Sequence, residues 1–371
     1  MNQPREVVIV GAGPAGVGMA ALLRRSAIQD ILVVDSHEVG ASFMRWPEET
    51  RFFSNPFGQP DLNSVTPDSS LALFCGEEHP GGKTYASYLK AVLDEYQIPV
   101  MAPARIAKVA LLSSGNFILT TEAGEKLETR SLIWATGEFQ FPDRQIFPGA
   151  DICCHYGDVT SWKDFRKGEY IVIGGYESAV DAAVNLLENG SSVKMLTRSA
   201  PWSANHISDP SLSLSPYTRE RLNRVMNHRL FEIYEDADVC EVIRMPGPGS
   251  SYKVHTTNGR AWATDEVPVL ATGFQCGGGA RQLAAFFEWN DDGYPVLTDE
   301  DCSTLFPGLY LVGPHVRHAG NIYCFIYKFR QRFPVVAESI TRHLGLSSEG
   351  VRDWWVLPSE PDCCADEDCA C

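Results

Sequence analysis

Two glycine-rich loops carry the residue types and spacing most suited to chemistry in this chain: Gly11-Ala-Gly13-Pro-Ala15-Gly16 and Gly174-Gly175-Tyr176-Glu-Ser178-Ala. Each follows a short apolar run, Val7-Val-Ile-Val10 or Tyr170-Ile-Val-Ile173, and each opens a stretch of small residues that predicts a helix. In such a strand–turn–helix the first glycine permits the tight turn. The second lets backbone approach a pyrophosphate, and the third lets the helix close on the strand. A diphosphate then meets free N–H groups and the positive end of the helix dipole. Tyr176 occupies the place of the second glycine in the later loop, so a pyrophosphate approaches less closely there than at Gly13.

What ends the next strand separates the two loops. Ile31-Leu-Val-Val34 leads to Asp35, 24 residues after Gly11, whereas Ser192-Val-Lys-Met-Leu-Thr197 leads to Arg198, 24 residues after Gly174. A carboxylate at that offset accepts hydrogen bonds from ribose hydroxyls and repels a 2′-phosphate. A guanidinium there pairs bidentately with a 2′-phosphate. The complete loop with Asp35 therefore suits a resident FAD, and the loop bearing Tyr176 and Arg198 suits a visiting NADPH. Two dinucleotides on one chain imply electron transfer between them.

The elements around the loops repeat. Ser131-Leu-Ile-Trp-Ala135 reads as a strand ending in Thr136-Gly137, and Val267-Pro-Val-Leu-Ala271 as one ending in Thr272-Gly273. An internal duplication of this kind gives an α/β fold with two Rossmann-like dinucleotide-binding domains. No third glycine loop follows, so the chain is expected to return to its first domain through the strand Leu309–Val312 and its Gly313, then a helix from about Asn321 to Leu344, bent near Pro334. The NADPH domain is thus inserted into a discontinuous FAD domain. The expected boundaries are 1–148 and 274–346 for the FAD domain, 149–273 for the NADPH domain and 347–371 for a tail. Tyr85–Tyr96 reads as an amphipathic helix burying Tyr85, Tyr88, Leu89, Val92 and Leu93. The loop Gly40–Pro80 carries Phe43, Trp46, Phe52, Phe53 and Phe57, which can wall a flat apolar ring or form a satellite core; Trp46 is counted among the cofactor contacts.

Composition narrows the partners. The 371 residues are 44% hydrophobic and 21% charged, enough for two domains with sizeable cores. The net charge of −16 disfavours nucleic acid and anionic membrane surfaces. No apolar run approaches the length of a membrane span, and the first strand begins by Val7, which leaves no room for a signal peptide. The expected compartment is the cytoplasm, and a homo-oligomer stays open.

Eleven cysteines are many for such a protein. Cys75, Cys240, Cys276 and Cys302 stand alone and read as small core residues. Cys153-Cys154 could form a strained, easily reduced disulfide, with His155 helping to make a thiolate; these three are the catalytic candidates. Cys363-Cys364 and Cys369-Ala-Cys371 lie in an acidic terminus that reads as a mobile tail. Those four thiols could relay electrons, hold a soft metal or metalloid, or do nothing.

The chain resembles the flavoproteins with two dinucleotide-binding domains, and among them the thioredoxin reductase-like proteins, especially the bacillithiol disulfide reductase branch. The segment Arg45-Trp-Pro-Glu-Glu-Thr-Arg-Phe-Phe-Ser54, His155-Tyr156, Val172-Ile-Gly-Gly-Tyr-Glu-Ser-Ala-Val-Asp181, Thr272-Gly273-Phe274 and the turn at Gly313 carry the likeness. It implies FAD at Gly11, Gly13, Gly16, Asp35, Ile106, Thr136, Gly137 and Gly313, and NADPH at Gly174, Gly175, Ser178 and Arg198. Three positions depart from the pattern. Ala15 stands where the branch has a cysteine, Cys153-Cys154-His155 lacks the Cys-x-x-Cys spacing of thioredoxin reductases, and Pro314 replaces an aspartate found in many relatives.

The expected function is therefore an FAD-dependent oxidoreductase that passes hydride from NADPH to flavin and on to a small-molecule or protein disulfide, or a related sulfur compound. The alternative is a flavin-dependent monooxygenase acting through a flavin hydroperoxide on a soft nucleophile. That family's Phe-x-Gly-x-x-x-His pattern is missing, since Gly149 and Asp151 occupy its first positions before His155. A redox-sensing or metal-binding module without catalysis is the third reading, and two nucleotide loops argue against it.

Overall fold

The computed structural model describes residues 3–55, 61–203, 209–246, 251–351 and 354. They divide into two compact units. One takes in the chain from the N-terminus to Met44, Asn55–Phe141 and the stretch from Cys276 onward; the other takes in Arg45–Ser54 and Pro142–Gln275.

The first unit opens with strand β1 (Arg5–Val10), helix α1 (Pro14–Arg24) and strand β2 (Ile31–Val34). Val7, Val8 and Ile9 are wholly buried, as expected of a parallel strand covered on both faces. Pro14 starts α1, where its missing N–H costs nothing. The small residues of α1 let it pack closely, for a Cβ on Gly18 would lie 2.3 Å from the ring of Phe333. Short helices α2 (Ala41–Met44) and α3 (Leu71–Cys75) precede α4 (Gly82–Glu95), which buries Tyr85, Tyr88, Leu89, Val92 and Leu93 as its periodicity predicts. Strands β3 (Val100–Met101), β4 (Ile106–Leu111), β5 (Phe117–Thr121) and β6 (Lys126–Trp134) complete this part. The sheet order is β3-β2-β1-β6-β5-β4.

The second unit holds β7 (Cys154–His155), β8 (Glu169–Ile173), α5 (Glu177–Glu188), β9 (Ser192–Leu196), α6 (Pro216–Val225) and β10 (Phe231–Tyr234). After the antiparallel strands β11 (Val239–Met245), β12 (Ser251–Thr256) and β13 (Ala261–Thr264), β14 (Val269–Leu270) returns to the main sheet. That sheet is parallel throughout, in the order β10-β9-β8-β14-β7. Tyr170 and Val172 of β8 face one core with Ala179, Ala183 and Trp162. Ile171 and Ile173 face the other, with Val242, Tyr252 and Val254.

The chain then adds to the first unit. A small hairpin, β15 (Glu288–Trp289) and β16 (Pro295–Val296), precedes β17 (Leu309–Leu311), which lies parallel to the end of β6. Two-residue strands β18 (Arg317–His318) and β19 (Asn321–Ile322) pair as a second hairpin. The helix expected from about Asn321 therefore begins later, as α7 (Ile326–Phe329), and passes through a 3-10 turn at Arg330–Arg332 into α8 (Phe333–Leu344). The bend precedes Pro334 because proline has no N–H to offer the carbonyl four residues back.

One assignment along the chain needs correction. Arg45–Ser54 reads in sequence as part of the first domain, yet it packs with the second unit. Glu49 accepts hydrogen bonds from Ser161 Oγ at 2.7 Å and the Trp162 N–H at 2.9 Å. Thr50 Oγ1 lies 2.8 Å from both the Asp181 carboxylate and the Tyr156 hydroxyl. Asp181 also pairs with Arg221 at 2.6 Å, so the strap is tied to a buried, fully partnered charge.

Candidate nucleotide-binding sites

The two glycine loops are built alike. Gly11 N–H donates to Val34 at 2.8 Å and Gly174 N–H to Leu196 at 2.9 Å. A Cβ on Gly11 would lie 2.3 Å from the Ala135 carbonyl oxygen, and one on Gly174 2.2 Å from that of Ala271. Both glycines also take positive φ, 114° and 139°. Each following strand ends in a threonine whose buried hydroxyl has no partner among the described residues, Thr136 and Thr272, and then in a glycine of positive φ, Gly137 and Gly273. Four strand ends thus converge on two equivalent turns, the place where open parallel sheets bind ligands.

In the first unit Gly16 is closed by its own turn, since a Cβ there would lie 1.9 Å from the Gly11 oxygen. Gly13, the residue before α1, has open space where its Cβ would be. That gap is what a diphosphate needs. Ala15 is buried, and a Cβ on Gly313 would stand 3.4 Å from its methyl, so the turn after β17 closes against the start of α1. Asp35 accepts from the Ala12 N–H at 2.7 Å and the His37 N–H at 2.8 Å, one bond on each carboxylate oxygen. Each oxygen keeps a lone pair for a further donor. Ile106 opens β4 two residues after Ala104, whose N–H reaches the Asp35 carbonyl. Trp46 falls in the strap of the second unit, with its ring 4.9 Å from that of Phe52.

In the second unit a Cβ on Gly175 would meet Thr197 Oγ1 at 2.1 Å, so the loop presses on the end of β9. Tyr176 precedes α5 in extended conformation and is 47% exposed, and Ser178 stands half-buried in the first turn of that helix. Arg198 leaves β9 with its side chain 82% exposed and only a loose 3.9 Å approach to Asp238. The guanidinium can therefore take an anionic ligand with little to give up.

The catalytic candidates fare differently. Cys153 packs into the core with Ile171, Ile173 and Tyr252, while Cys154 packs against the opposite core with Val172 and Trp162. Successive residues of a strand point to opposite faces, which separates the two thiols by the sheet itself. Burial, with help from Asp151, pushes the Cys153 thiol up to about 12, and burial also raises that of Cys154. His155 is 1% exposed. Its Nδ1 accepts from the Gly157 N–H at 3.0 Å and its Nε2 faces the Gly273 carbonyl at 3.0 Å. Burial holds the imidazole below its usual range. Neutral and bonded at both nitrogens, it has no capacity left to activate a thiol. Cys154 and His155 form the edge strand β7, and Cys153 packs just before it.

Among the described residues no group of three or more metal-ligating side chains occurs. Cys363, Cys364, Cys369 and Cys371, like Phe57, lie outside the described residues. Glu138 and His315, which the sequence reading passed over, adjoin the Thr136–Gly137 turn; their positions one residue past Ala-Thr-Gly and two past Gly313 were the available signal. Cys324, also passed over, immediately precedes Phe325, the residue that caps α7.

The pattern of pyridine nucleotide-disulphide oxidoreductases matches residues 8–313. Bacilliredoxin reductase Bdr of Bacillus subtilis is 27% identical over 53% of this chain and 58% of its own length. The chain spans about half the length of the first curated relatives it matches. In three dimensions it is similar to the bacillithiol disulfide reductase of Staphylococcus aureus, with a TM-score of 0.75 at 23% identity over 92% of this chain and 99% of that one. It is also similar to the flavin-containing monooxygenase of Stenotrophomonas maltophilia in a mutant form, with a TM-score of 0.74 at 15% identity over 92% and 100%. At such identities the structural likenesses establish the fold. No helix among the described residues is long and apolar enough to cross a membrane.

Proposed function

The chain belongs to the pyridine nucleotide-disulphide oxidoreductase family, and from that premise we propose that it passes a hydride from NADPH, through FAD, to a disulfide or related sulfur substrate. The observation that carries the reading is the asymmetry of two otherwise matching loops: Asp35 ends β2 and Arg198 ends β9 at the same offset. The first unit fits FAD, with open space over Gly13, a buried hydroxyl awaiting a partner at Thr136, and spare lone pairs on Asp35. The second fits NADPH, with Arg198 free for the 2′-phosphate and Ser178 in the first turn of α5. FAD would accept the hydride from nicotinamide, which no side chain here can.

The residues contribute binding and orientation. Gly13 N–H and the first turn of α1 would meet the FAD diphosphate, and Asp35 would fix the adenosine ribose. The exposed Tyr176 keeps a pyrophosphate further from the second loop, which suits a nucleotide that binds and departs each cycle. Overall, NADPH, one proton and R–S–S–R give NADP⁺ and two R–SH.

Cys153 and Cys154 sit on opposite faces of one sheet, and this favours direct delivery to the substrate over relay through that pair. The same separation keeps open the second reading, in which oxygen is the acceptor. Anaerobic reduction by NADPH followed by rapid mixing with low-molecular-weight disulfides or with oxygen distinguishes them. Fast reoxidation by a disulfide, with stoichiometric thiol release, supports the reductase. Reoxidation by oxygen coupled to oxygenation of an added amine or thioether overturns it.

A further inference from the structure

Buried polar groups in the first unit lack the partners their burial calls for. Thr136 Oγ1 and both ring nitrogens of His315 are sealed from solvent and bond to nothing among the described residues. His315 is 6% exposed. The groups lie together. A Cβ on Gly278 would stand 2.1 Å from His315 Nε2 and 2.9 Å from the Gly137 oxygen, and one on Gly279 would stand 1.8 Å from Thr136 Oγ1. Glu138 completes the set, with Oε2 3.7 Å from His315 Nε2 and a side chain 38% exposed, so that one side stays open to water. At that distance the two groups can share a bridging water. Buried groups left unpaired in a native protein mark a place where something binds or where polarity has a use.

The charges facing the pair are few. Arg317 lies 4.4 Å over the Tyr294 ring and donates to the Pro314 and Val316 carbonyls. Arg281 lies 5.2 Å over Trp289 and donates to the Cys276 carbonyl. The Tyr294 ring stands 6.0 Å from that of His315, and a hydrogen bond links its side chain to that of Cys276. Burial, then Arg317 and Arg281, holds His315 down to about 4, so it is neutral near pH 7. Although 38% of its side chain stays exposed, desolvation by the protein around it pushes Glu138 up to about 7, against the pull of Arg317.

We propose that Glu138 and His315 form a proton-exchanging pair for the flavin held against the Thr136–Gly137 turn. The proposal rests on the FAD and NADPH reading above. As two electrons and one proton arrive from NADPH, negative charge gathers beside the pair, and Glu138 takes one further proton from water. His315, neutral and fixed, presents Nε2 to the shared water, as donor or acceptor according to its tautomer. When the two electrons leave, the substrate S–S bond breaks and two S–H bonds form. One of their protons arrives with the hydride, and the other is the one stored on Glu138.

The test is the pH dependence of the flavin midpoint potential in the FAD-loaded protein, compared with Glu138→Gln and His315→Gln. Above pH about 7 the wild type is expected to fall more steeply than Glu138→Gln by about 30 mV per pH unit, which is tenfold in the equilibrium constant of a two-electron couple. His315→Gln is expected to move the pH at which the wild-type slope breaks. A flavin-bound Glu138→Gln with an unchanged slope overturns the pair while leaving the cofactor reading intact. A wild-type chain that takes up no FAD overturns both.

Discussion

Cys153 and Cys154 are neighbours in the chain and belong to opposite cores of the second unit. A thiol held near 12 has a thiolate fraction of about 10⁻⁴ at pH 8, so alkylation of native Cys153 should be slower than that of an exposed cysteine by orders of magnitude. Iodoacetamide labelling read by mass spectrometry checks this. The double variant Cys153→Ala, Cys154→Ala should keep disulfide reduction within about twofold while losing about 1–2 kcal/mol of stability through lost packing. A collapse of the rate in a folded double variant would restore the pair as a redox centre.

The first loop separates binding from folding. Gly13→Ala places its methyl in open space, so the apoprotein should keep its melting temperature while FAD affinity drops by tenfold or more, about 1.4 kcal/mol. Gly16→Ala drives a methyl to 1.9 Å from the Gly11 oxygen and should cost folding as well as flavin. Flavin stoichiometry and thermal denaturation of both variants test the pair of outcomes together.

Arg198→Ala should weaken NADPH far more than NADH. A charge-assisted hydrogen bond of about 1.5–3 kcal/mol corresponds to a rise in KM of roughly ten- to a hundredfold for NADPH, with kcat little changed. Asp238→Asn, which removes its loose ionic neighbour, should move KM modestly the other way. Equal effects on both nucleotides would mean that Arg198 does not read the 2′-phosphate.

Glu49 gives the strap a pH signature. Burial works to raise its carboxyl, but the hydrogen bonds from Ser161 and Trp162 outweigh it and hold it below the ordinary 4.5. A folded pKa below the unfolded one contributes stability above about pH 4.5, and that contribution is lost as pH falls through the folded value. The difference in melting temperature between wild type and Glu49→Gln should thus be present at pH 6 and shrink as pH falls through the folded value of Glu49. A gap that widens toward acid would contradict the assignment.

Much of this was readable from residue order. Gly11, Gly174, Ala135 and Ala271 stand in a spacing that only a strand–turn–helix repeat explains, and α4 follows from its five apolar positions. The strap was not readable. Its anchors, Glu49 to Ser161 and Thr50 to Asp181, join residues more than a hundred positions apart, and neither polar residue differs in type from loop residues elsewhere. For Cys153-Cys154 the sequence does not show that the two thiols join opposite cores, because neighbouring extended residues point to opposite faces. Glu138 and His315 carry no motif, and only folding brings Gly278 between them and the Thr136 turn.

The strap also bears on how portable the second unit is. Cut out as Pro142–Gln275 alone, it would leave Asp181 without Thr50, and Ser161 and the Trp162 N–H without Glu49. A nucleotide module trimmed by continuous sequence would therefore be incomplete, and a chimera that grafts it onto another flavoprotein must carry residues 45–54 from the same parent. In modular terms the second unit is built from two segments of the chain, 45–54 and 142–275, and each is incomplete without the other.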